Sequence, residues 1–284
     1  MSKSVFCCPL CGSALAIAQN GALYCAKSHC FDTAHEGYVH LLPASKMHAK
    51  IPGDNQEMVT ARRSFLQTGG YRVFADALCK ILCEALCNSE NAAPFIIDAG
   101  CGEGYYTRHF AAALAKAENP AQIAAFDISK YAVKAAAKLG GEGISYAVAS
   151  SFAIPVAAHT ADVLVDVFSP LAESEFARTI KPGGLFVFAV PGARHLFGLK
   201  EVLYEKPYEN AEHDTSYKGF TFLKRVSAKD TLTVTGEQIQ NLFAMTPYYW
   251  KTPRGGAEKL AQLESLTTEI AFDFLCYRRN TEKK

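Results

Sequence analysis

A glycine-rich loop that follows a short apolar stretch constrains this chain more than any other feature. Residues 95–99 are Phe-Ile-Ile-Asp-Ala, and Gly100, Gly102 and Gly104 then alternate along the loop. The pattern predicts a buried strand that ends near Asp98 and a helix that begins near Gly104. Glycine permits positive φ and close approach of backbone N–H groups, and a helix N-terminus carries partial positive charge. The loop therefore predicts a site for a nucleotide-like ligand beside Gly100 and Gly102.

The spacing of the loop distinguishes two classes of nucleotide cofactor. A dinucleotide fingerprint needs a small residue three positions after Gly102, where this chain has the bulky Tyr105. Gly-x-Gly-x-Gly with the acidic Glu103 inside it resembles instead the first motif of S-adenosylmethionine-dependent methyltransferases. The loop therefore favours S-adenosylmethionine over NAD. In isolation, the same residues would also suit a plain strand-to-helix turn.

Alternating strands and helices are predicted from Pro94 onward. A second strand, residues 123–126, ends in Asp127, about two dozen residues beyond the glycine loop. A carboxylate there can accept hydrogen bonds from both hydroxyls of an adenosine ribose. The alternation predicts an α/β fold with a Rossmann-like sheet. Later strands are predicted at residues 144–149, 162–168, 185–190, 219–226, 230–234 and 269–277.

Four residues near the start of the chain have the spacing of zinc ligands. They form a C-x2-C pair and, after thirteen intervening residues, a C-x3-H pair: Cys8, Cys11, Cys25 and His29. Tetrahedral zinc prefers thiolate and imidazole ligands, and four protein ligands leave no open position. The pattern predicts a structural zinc site in a small β domain. Cys7 and Cys30 flank these residues, and a ligand role for either remains an alternative.

Overall composition narrows the partners and the compartment. The chain has 284 residues, 29 basic and 28 acidic side chains and a net charge of +1, so any RNA-binding surface must be local. No apolar run is long enough to span a bilayer, and the first residues lack the apolar segment of a signal peptide. We expect a cytoplasmic protein with no membrane partner. Two basic stretches stand out: Arg62 with Arg63, which either form a solvated helix face or contact RNA phosphates, and Arg194, His195 and Lys200, which lie near the expected substrate mouth.

Three segments are predicted. Residues 1–43 form the zinc-binding domain, residues 44–70 a linker and a helix, and residues 71–284 the methyltransferase domain.

Several motifs together resemble the bacterial large-subunit (23S) ribosomal RNA guanine-N1 methyltransferases. The resemblance covers nearly the whole chain. It rests on the four proposed zinc ligands, Glu-Gly-Tyr-Val at 36–39, Pro-Gly-Asp at 52–54, Ala-Arg-Arg at 61–63, the glycine loop, Pro-Gly-Ala-Arg-His at 191–195, Met-Thr-Pro at 245–247 and Trp250. A generic methyltransferase has no reason to carry the zinc ligands.

The resemblance implies more than the residues alone. It implies a class I S-adenosylmethionine methyltransferase fold with a seven-stranded sheet, a zinc domain that helps to hold a hairpin of 23S ribosomal RNA, and a homodimer. By position it assigns cofactor contacts to Tyr71, Gly102, Glu103, Asp127 and His195.

No residue stands out in the sequence as the catalytic base. Asp166 and the segment Ser169-Pro170 lie at the end of a predicted strand, but Asp166 could equally be a solvated strand-end charge, and we assign it no catalytic role. Two alternatives to the ribosomal RNA enzyme remain. One is a small-molecule methyltransferase whose zinc domain is an interaction module, and the other is a non-catalytic zinc-ribbon RNA-binding protein.

Overall fold

A small antiparallel sheet opens the chain. In a computed structural model, which describes residues 2–47, 52–86 and 93–281, its strands occur in the order β1-β2-β3-β4. They are β1 (Ser2–Cys7), β2 (Ala14–Ile17), β3 (Leu23–Cys25) and β4 (Cys30–Phe31). The turns between the strands bring the beginnings and ends of the short strands together, which is where the candidate metal ligands lie.

The larger sheet has eight strands in the order β11-β12-β10-β9-β6-β7-β8-β5. These strands are β5 (Tyr38–His40), β6 (Phe95–Ala99), β7 (Gln122–Asp127), β8 (Ile144–Val148), β9 (Ala161–Val167), β10 (Ile180–Pro191), β11 (Phe220–Thr235) and β12 (Ser265–Arg279). In this spatial order, each strand from β10 to β5 is parallel to its neighbour. Strand β12 is antiparallel to both β10 and β11. The central strands β6 and β9 are almost wholly buried because they are covered on both faces.

Helices pack mainly against one face of this sheet, and the zinc-ligand module covers part of the other. The helices are α1 (Gln56–Gln67), α2 (Arg72–Leu86), α3 (Tyr105–Lys116), α4 (Lys130–Leu139), α5 (Glu173–Thr179), α6 (Phe197–Leu203), α7 (Glu237–Ala244) and α8 (Arg254–Ala261). Buried Phe6 and Leu15 of the small sheet belong to the same apolar cluster as Ile97 and Phe126 of the large one. The Cys7 N–H also donates to the Pro155 carbonyl, at 2.7 Å. The small sheet is therefore packed onto the large one.

Strand β5 adds an eighth strand to the seven that the resemblance implies. Tyr38, Val39 and His40 pair in parallel with β8, so the last residues of the segment predicted as the zinc domain lie in the large sheet. The two boundaries between the three predicted segments remain predictions.

The region predicted as two strands, residues 219–226 and 230–234, forms the single strand β11. Ser227, Ala228 and Lys229 continue the pairing with β12 across the predicted break. The prediction of two strands was wrong because the small and polar residues of the break belong to an edge strand, most of whose side chains face solvent. In the part of the chain that the structure describes, no helix is long and apolar enough to cross a bilayer.

Candidate functional site

The four predicted metal ligands converge in the small sheet. The donor atoms of Cys8, Cys11, Cys25 and His29 all lie within 4.8 Å of one another. The His29 Nδ1 is 3.4 Å from the Cys8 Sγ and 3.3 Å from the Cys25 Sγ, and the Sγ atoms of Cys11 and Cys25 are 3.7 Å apart. Ligands about 2.0–2.3 Å from a tetrahedral zinc ion are separated by roughly 3.5–3.8 Å. The donor set and its dimensions therefore fit a structural zinc ion.

The two flanking cysteines lie outside this cluster. Cys30 is exposed at the start of β4, and the Cys7 side chain is partly buried, where burial raises the pKa of its thiol. In contrast, the neighbouring Ser13 lowers the pKa of Cys11 to about 6, which favours the thiolate form that binds metal. The structure thus separates four converging donors from two cysteines outside them.

The glycine loop wraps around the end of β6 with a left-handed backbone. Gly100, Gly102 and Gly104 have φ values of +84°, +56° and +76°. A Cβ atom at Gly100 would lie 2.6 Å from the Cβ of Ser169, whereas a Cβ atom at Gly102 would meet nothing within 4 Å. Gly100 therefore has no room for a side chain, and Gly102 leaves open space in front of its backbone. That space is where a ligand can approach.

Asp127 ties the glycine loop to the start of α4. Its Oδ2 accepts a hydrogen bond from the Gly102 N–H at 3.0 Å, and its Oδ1 accepts one from the Ser129 N–H at 2.8 Å. Burial raises the pKa of the Asp127 carboxyl, and these two hydrogen bonds lower it. A carboxylate has about four lone-pair positions. Each oxygen therefore keeps one acceptor position, which matches two vicinal hydroxyls.

Glu103 is a buried acidic residue in the loop. It is only 3% exposed, and its Oε2 lies 3.5 Å from the Arg108 Nη2. Burial raises the pKa of Glu103, and the charges of Arg108 and Arg63 oppose that change. Glu103 is thus a second buried acceptor, next in the chain to Gly102, whose N–H donates to Asp127.

A cavity of 290 Å³ lies at this edge of the sheet. Its lining includes Asp98, Gly102, Glu103 and Asp127, together with Ser150 and Ser151 just beyond the end of β8. The edge is formed by the carboxyl ends of parallel strands, where open α/β sheets bind ligands. The shape and the acceptors suit an adenosine.

Tyr71 and His195 meet in a second cavity, of 390 Å³. The His195 Nδ1 accepts the Ala271 N–H at 3.3 Å, so Nε2 carries the proton and donates to the Tyr71 hydroxyl oxygen, also at 3.3 Å. Burial lowers the pKa of His195 to about 3, which keeps the ring neutral. The Tyr71 hydroxyl proton is then available to an acceptor.

The two cavities are adjacent. Their shared lining consists of Arg62, Leu66, Tyr106, Phe168 and Ser169. Four predicted cofactor contacts (Gly100, Gly102, Glu103 and Asp127) line the first cavity, and the other two line the second. A ligand in contact with all six residues would extend across this junction.

Comparisons with known proteins match both parts of the chain. A zinc-ribbon family described as "RlmA, N-terminal" matches residues 6–50, and a family described as "Methyltransferase domain" matches residues 97–188. A Micromonospora griseorubida protein named "Putative 23S rRNA (guanine-N(1)-)-methyltransferase" is 31% identical, with 95% of this chain and 96% of the relative covered. This chain belongs to the 23S rRNA (guanine-N1)-methyltransferase family. The 23S rRNA (guanine(748)-N(1))-methyltransferase of Streptomyces fradiae is 28% identical over 91% of each chain.

Membership of this methyltransferase family confirms the predicted family and fold class. The chain combines a class I S-adenosylmethionine methyltransferase domain with a zinc ribbon whose Cys/His cluster can hold the metal. The spacing of the glycine loop indicated the methyltransferase domain, and the spacing of the cysteines and the histidine indicated the zinc ribbon.

Asp166 of this methyltransferase is buried, so the interpretation as a solvated strand-end charge was wrong. Its Oδ1 accepts hydrogen bonds from the Ser169 N–H at 3.0 Å and the Ser169 hydroxyl at 2.7 Å. Its Oδ2 is buried with no hydrogen-bond partner. Burial raises the pKa of Asp166 to about 7, and the nearby Asp98 carboxyl adds to this effect.

The second basic stretch does not form a free cationic surface. Arg194 pairs with Glu269 at 2.7 Å and Glu209 at 3.1 Å. Lys200 is fully buried, and its Nζ donates to the Tyr208 carbonyl at 2.9 Å and to an asparagine Oδ1 at 2.7 Å. Lys200 therefore braces the segment after α6. Its position in the fold, which the sequence did not reveal, excludes it from RNA contact.

Sequence inspection also missed the aromatic residues that wall the second cavity. Tyr106, Phe168 and Tyr248 line it, although they are far apart in the chain. Only Phe168 carried a signal, since it follows a predicted strand and precedes Ser169-Pro170.

Proposed function

We propose that this protein transfers the methyl group of S-adenosylmethionine to N1 of a guanine in 23S ribosomal RNA. The observation that carries the proposal is the site itself: a glycine loop and Asp127 at the carboxyl edge of a parallel sheet, adjoining a second, aromatic-walled cavity. The names of the relatives supply the substrate. The intact pocket supports an enzyme over a zinc-ribbon protein that only binds RNA.

The cofactor contacts follow from the two cavities. Asp127 accepts the two ribose hydroxyls with the acceptor positions left free by Gly102 and Ser129. Gly100 and Gly102 let the backbone approach the ligand, and Glu103 adds a buried acceptor. These four contacts hold the adenosine end in the first cavity.

Tyr71 and His195 contact the methionine end at the boundary of the second cavity. Because the backbone N–H of Ala271 fixes the His195 tautomer, the Tyr71 hydroxyl donates its proton towards the ligand. A donor there matches a carboxylate acceptor. The six contacts thereby orient the ligand across the junction of the cavities.

The protein contributes mainly position and exclusion of water. S-adenosylmethionine supplies an activated methyl group on its sulfonium. Tyr106 and Phe168 wall the junction, so that a bound base displaces water there, and alignment of the acceptor nitrogen behind the methyl group favours in-line displacement. Guanine N1 must lose its proton before or during attack. We assign the acceptance of that proton to no residue of the chain.

The zinc ribbon has a structural role in this proposal. Zinc held by Cys8, Cys11, Cys25 and His29 stabilises the small sheet, which helps to hold a hairpin of the RNA. We further propose a homodimer and a cytoplasmic location, as for an enzyme that modifies bacterial ribosomal RNA.

Methyl transfer to ribosomal RNA tests the proposal. Purified protein is incubated with tritiated S-adenosylmethionine and ribosomal RNA from cells with and without the gene. We expect tritium in the 23S ribosomal RNA from cells that lack the gene. RNA from cells with the gene is already methylated and should take up little. Incorporation into a metabolite extract but into neither RNA would instead establish the small-molecule alternative.

A further inference from the structure

An open groove leads from the surface to both cavities. This entrance groove has a volume of 630 Å³ and is lined by residues that include Asp54, Met58, Arg62, Phe168, Met245 and Trp250. Arg62 and Phe168 also belong to the shared wall of the two cavities. Whatever enters the junction by this route therefore passes Trp250.

Two large aromatic side chains are exposed along the entrance groove. Trp250 is 65% exposed and Phe168 is 44% exposed. Phe168 also has a φ of +56°, a left-handed conformation that is unfavourable for a bulky residue. Phe168 also packs against two buried phenylalanines, at centroid distances of 5.5 and 6.0 Å, so Trp250 is the more open of the two rings. Exposed apolar rings along a groove, one of them on a strained backbone, indicate a binding surface.

The Trp250 ring contacts a second aromatic side chain. It makes an edge contact with Tyr249 at a centroid distance of 5.0 Å, and Tyr249 in turn contacts buried Phe243 at 5.4 Å. A ring held in this way loses little side-chain entropy when it binds a flat partner. The indole therefore has an aromatic contact that leads to the core, while most of its surface stays exposed.

The basic residues near Trp250 favour binding of a polyanion. Lys251 follows Trp250 directly and is exposed, and Arg254, also exposed, lies at the start of α8, where its Nε pairs at 3.1 Å with a glutamate one turn further on. Arg62, inside the groove, is held by an ion pair with Asp54. Cations beside exposed aromatic rings are the combination that binds single-stranded nucleic acid, whose bases stack on rings while its phosphates contact Lys and Arg.

A guanine cannot be methylated at N1 while it is paired. N1 lies on the Watson–Crick edge, so the base must be unpaired and turned into the protein. Turning it out removes the stacking partner of the adjoining nucleotide. An aromatic platform at the entrance can replace the lost stack.

We propose that the entrance groove binds a nucleotide adjacent to the methylated guanine, with its base stacked on Trp250 and its phosphates near Lys251 and Arg254. The proposal rests on the proposed function for the identity of the RNA. It adds a contact surface for single-stranded RNA outside both cavities. The bound nucleotide positions the guanine without touching the reacting atoms.

Fluorescence gives a direct test because Trp250 is the only tryptophan in the chain. Unmodified 23S ribosomal RNA transcribed in vitro is titrated into the full-length protein at constant protein concentration. Stacking of a base on the indole quenches its emission, and we expect saturable quenching. Absence of quenching at RNA concentrations that support methyl transfer would overturn the proposal. In a separate dilution series of the protein without RNA, emission that changes with protein concentration, together with no response to RNA, would also overturn it, because a second copy of the chain would then cover the groove.

Variant kinetics provide the second test. Trp250→Ala should raise the KM for the RNA by about 5- to 150-fold, the range expected for loss of one base–aromatic stack, while the Kd for S-adenosylmethionine changes less than twofold. Trp250→Phe should restore most of the KM. Tyr131→Ala is the matched control, since Tyr131 is 39% exposed on α4, outside the groove lining. An unchanged KM in Trp250→Ala would refute the contact while leaving methyl transfer by the wild-type protein, and hence the proposed function, intact.

Discussion

Replacing Asp127 with alanine should abolish useful binding of the methyl donor. In the structure each Asp127 oxygen accepts a backbone N–H and keeps one further acceptor position, and Asp127 lines the first cavity. A hydrogen bond to a charged group contributes about 1.5–3 kcal/mol. Loss of two such bonds to the ribose weakens binding by at least about 3 kcal/mol, which is more than a 100-fold rise in Kd.

Isothermal titration calorimetry with S-adenosylmethionine measures this change. Asp127→Asn should show an intermediate loss, because the amide keeps one acceptor but turns a donor towards a backbone N–H. Asp230→Ala, which removes an exposed carboxylate on β11, is the control and should bind like the wild type. Zinc content measured by mass spectrometry should be equal in all four proteins. A Kd for Asp127→Ala within threefold of wild type would refute the assignment of the ribose contact.

Three further changes probe the metal site, the buried carboxyl and the loop. Cys25→Ser should lower the zinc content and the RNA affinity with little effect on the Kd for the methyl donor, whereas Cys30→Ser, an exposed thiol outside the cluster, should behave like the wild type. Asp166 has a folded pKa of about 7, so its carboxyl favours the folded state less as pH rises from about 4 to 7. In the wild type this loss lowers the free energy of unfolding between pH 4 and pH 7 by at most on the order of 4 kcal/mol. Asp166→Asn should remove that decrease, and it should leave methyl transfer unchanged. Gly100→Ala should destabilise the fold by about 1–3 kcal/mol, and more than Gly102→Ala, because only the first added Cβ meets a neighbouring side chain.

One result for each of these variants would contradict the expected role of the residue. Equal zinc content in Cys25→Ser and wild type would remove that residue from the metal site. A pH profile of stability that Asp166→Asn does not alter would mean that the carboxyl is not buried in its neutral form. Equal melting temperatures for the two glycine variants would show that the loop moves to accommodate a side chain.

Local spacing carried most of what the sequence could predict. The glycine loop, Asp127 and the four zinc ligands are patterns in which the chemistry fixes both residue type and interval, and the structure places each set together. Strand alternation likewise gave the fold class, since parallel strands that are covered on both faces are continuously apolar.

Tertiary packing decided what the sequence could not predict. The zinc ribbon covers part of one face of the large sheet, and Phe6 and Phe126 share a core, although nothing in either segment indicates the other. The second cavity brings together Tyr71, His195 and Tyr248, which no short interval connects. Lys200 has the sequence context of a surface cation, yet its carbonyl and amide partners let it be buried.

Methyl transfer to guanine N1 is tested most directly by the identity of the nucleoside that the protein produces. Unmodified 23S ribosomal RNA is incubated with the protein and S-adenosylmethionine that carries a trideuterated methyl group, then digested to nucleosides for mass spectrometry. We expect 1-methylguanosine with three deuterium atoms, formed by the wild type and lost in Asp127→Ala. Deuterium in any other nucleoside, or in none while the protein binds S-adenosylmethionine normally, would contradict this expectation.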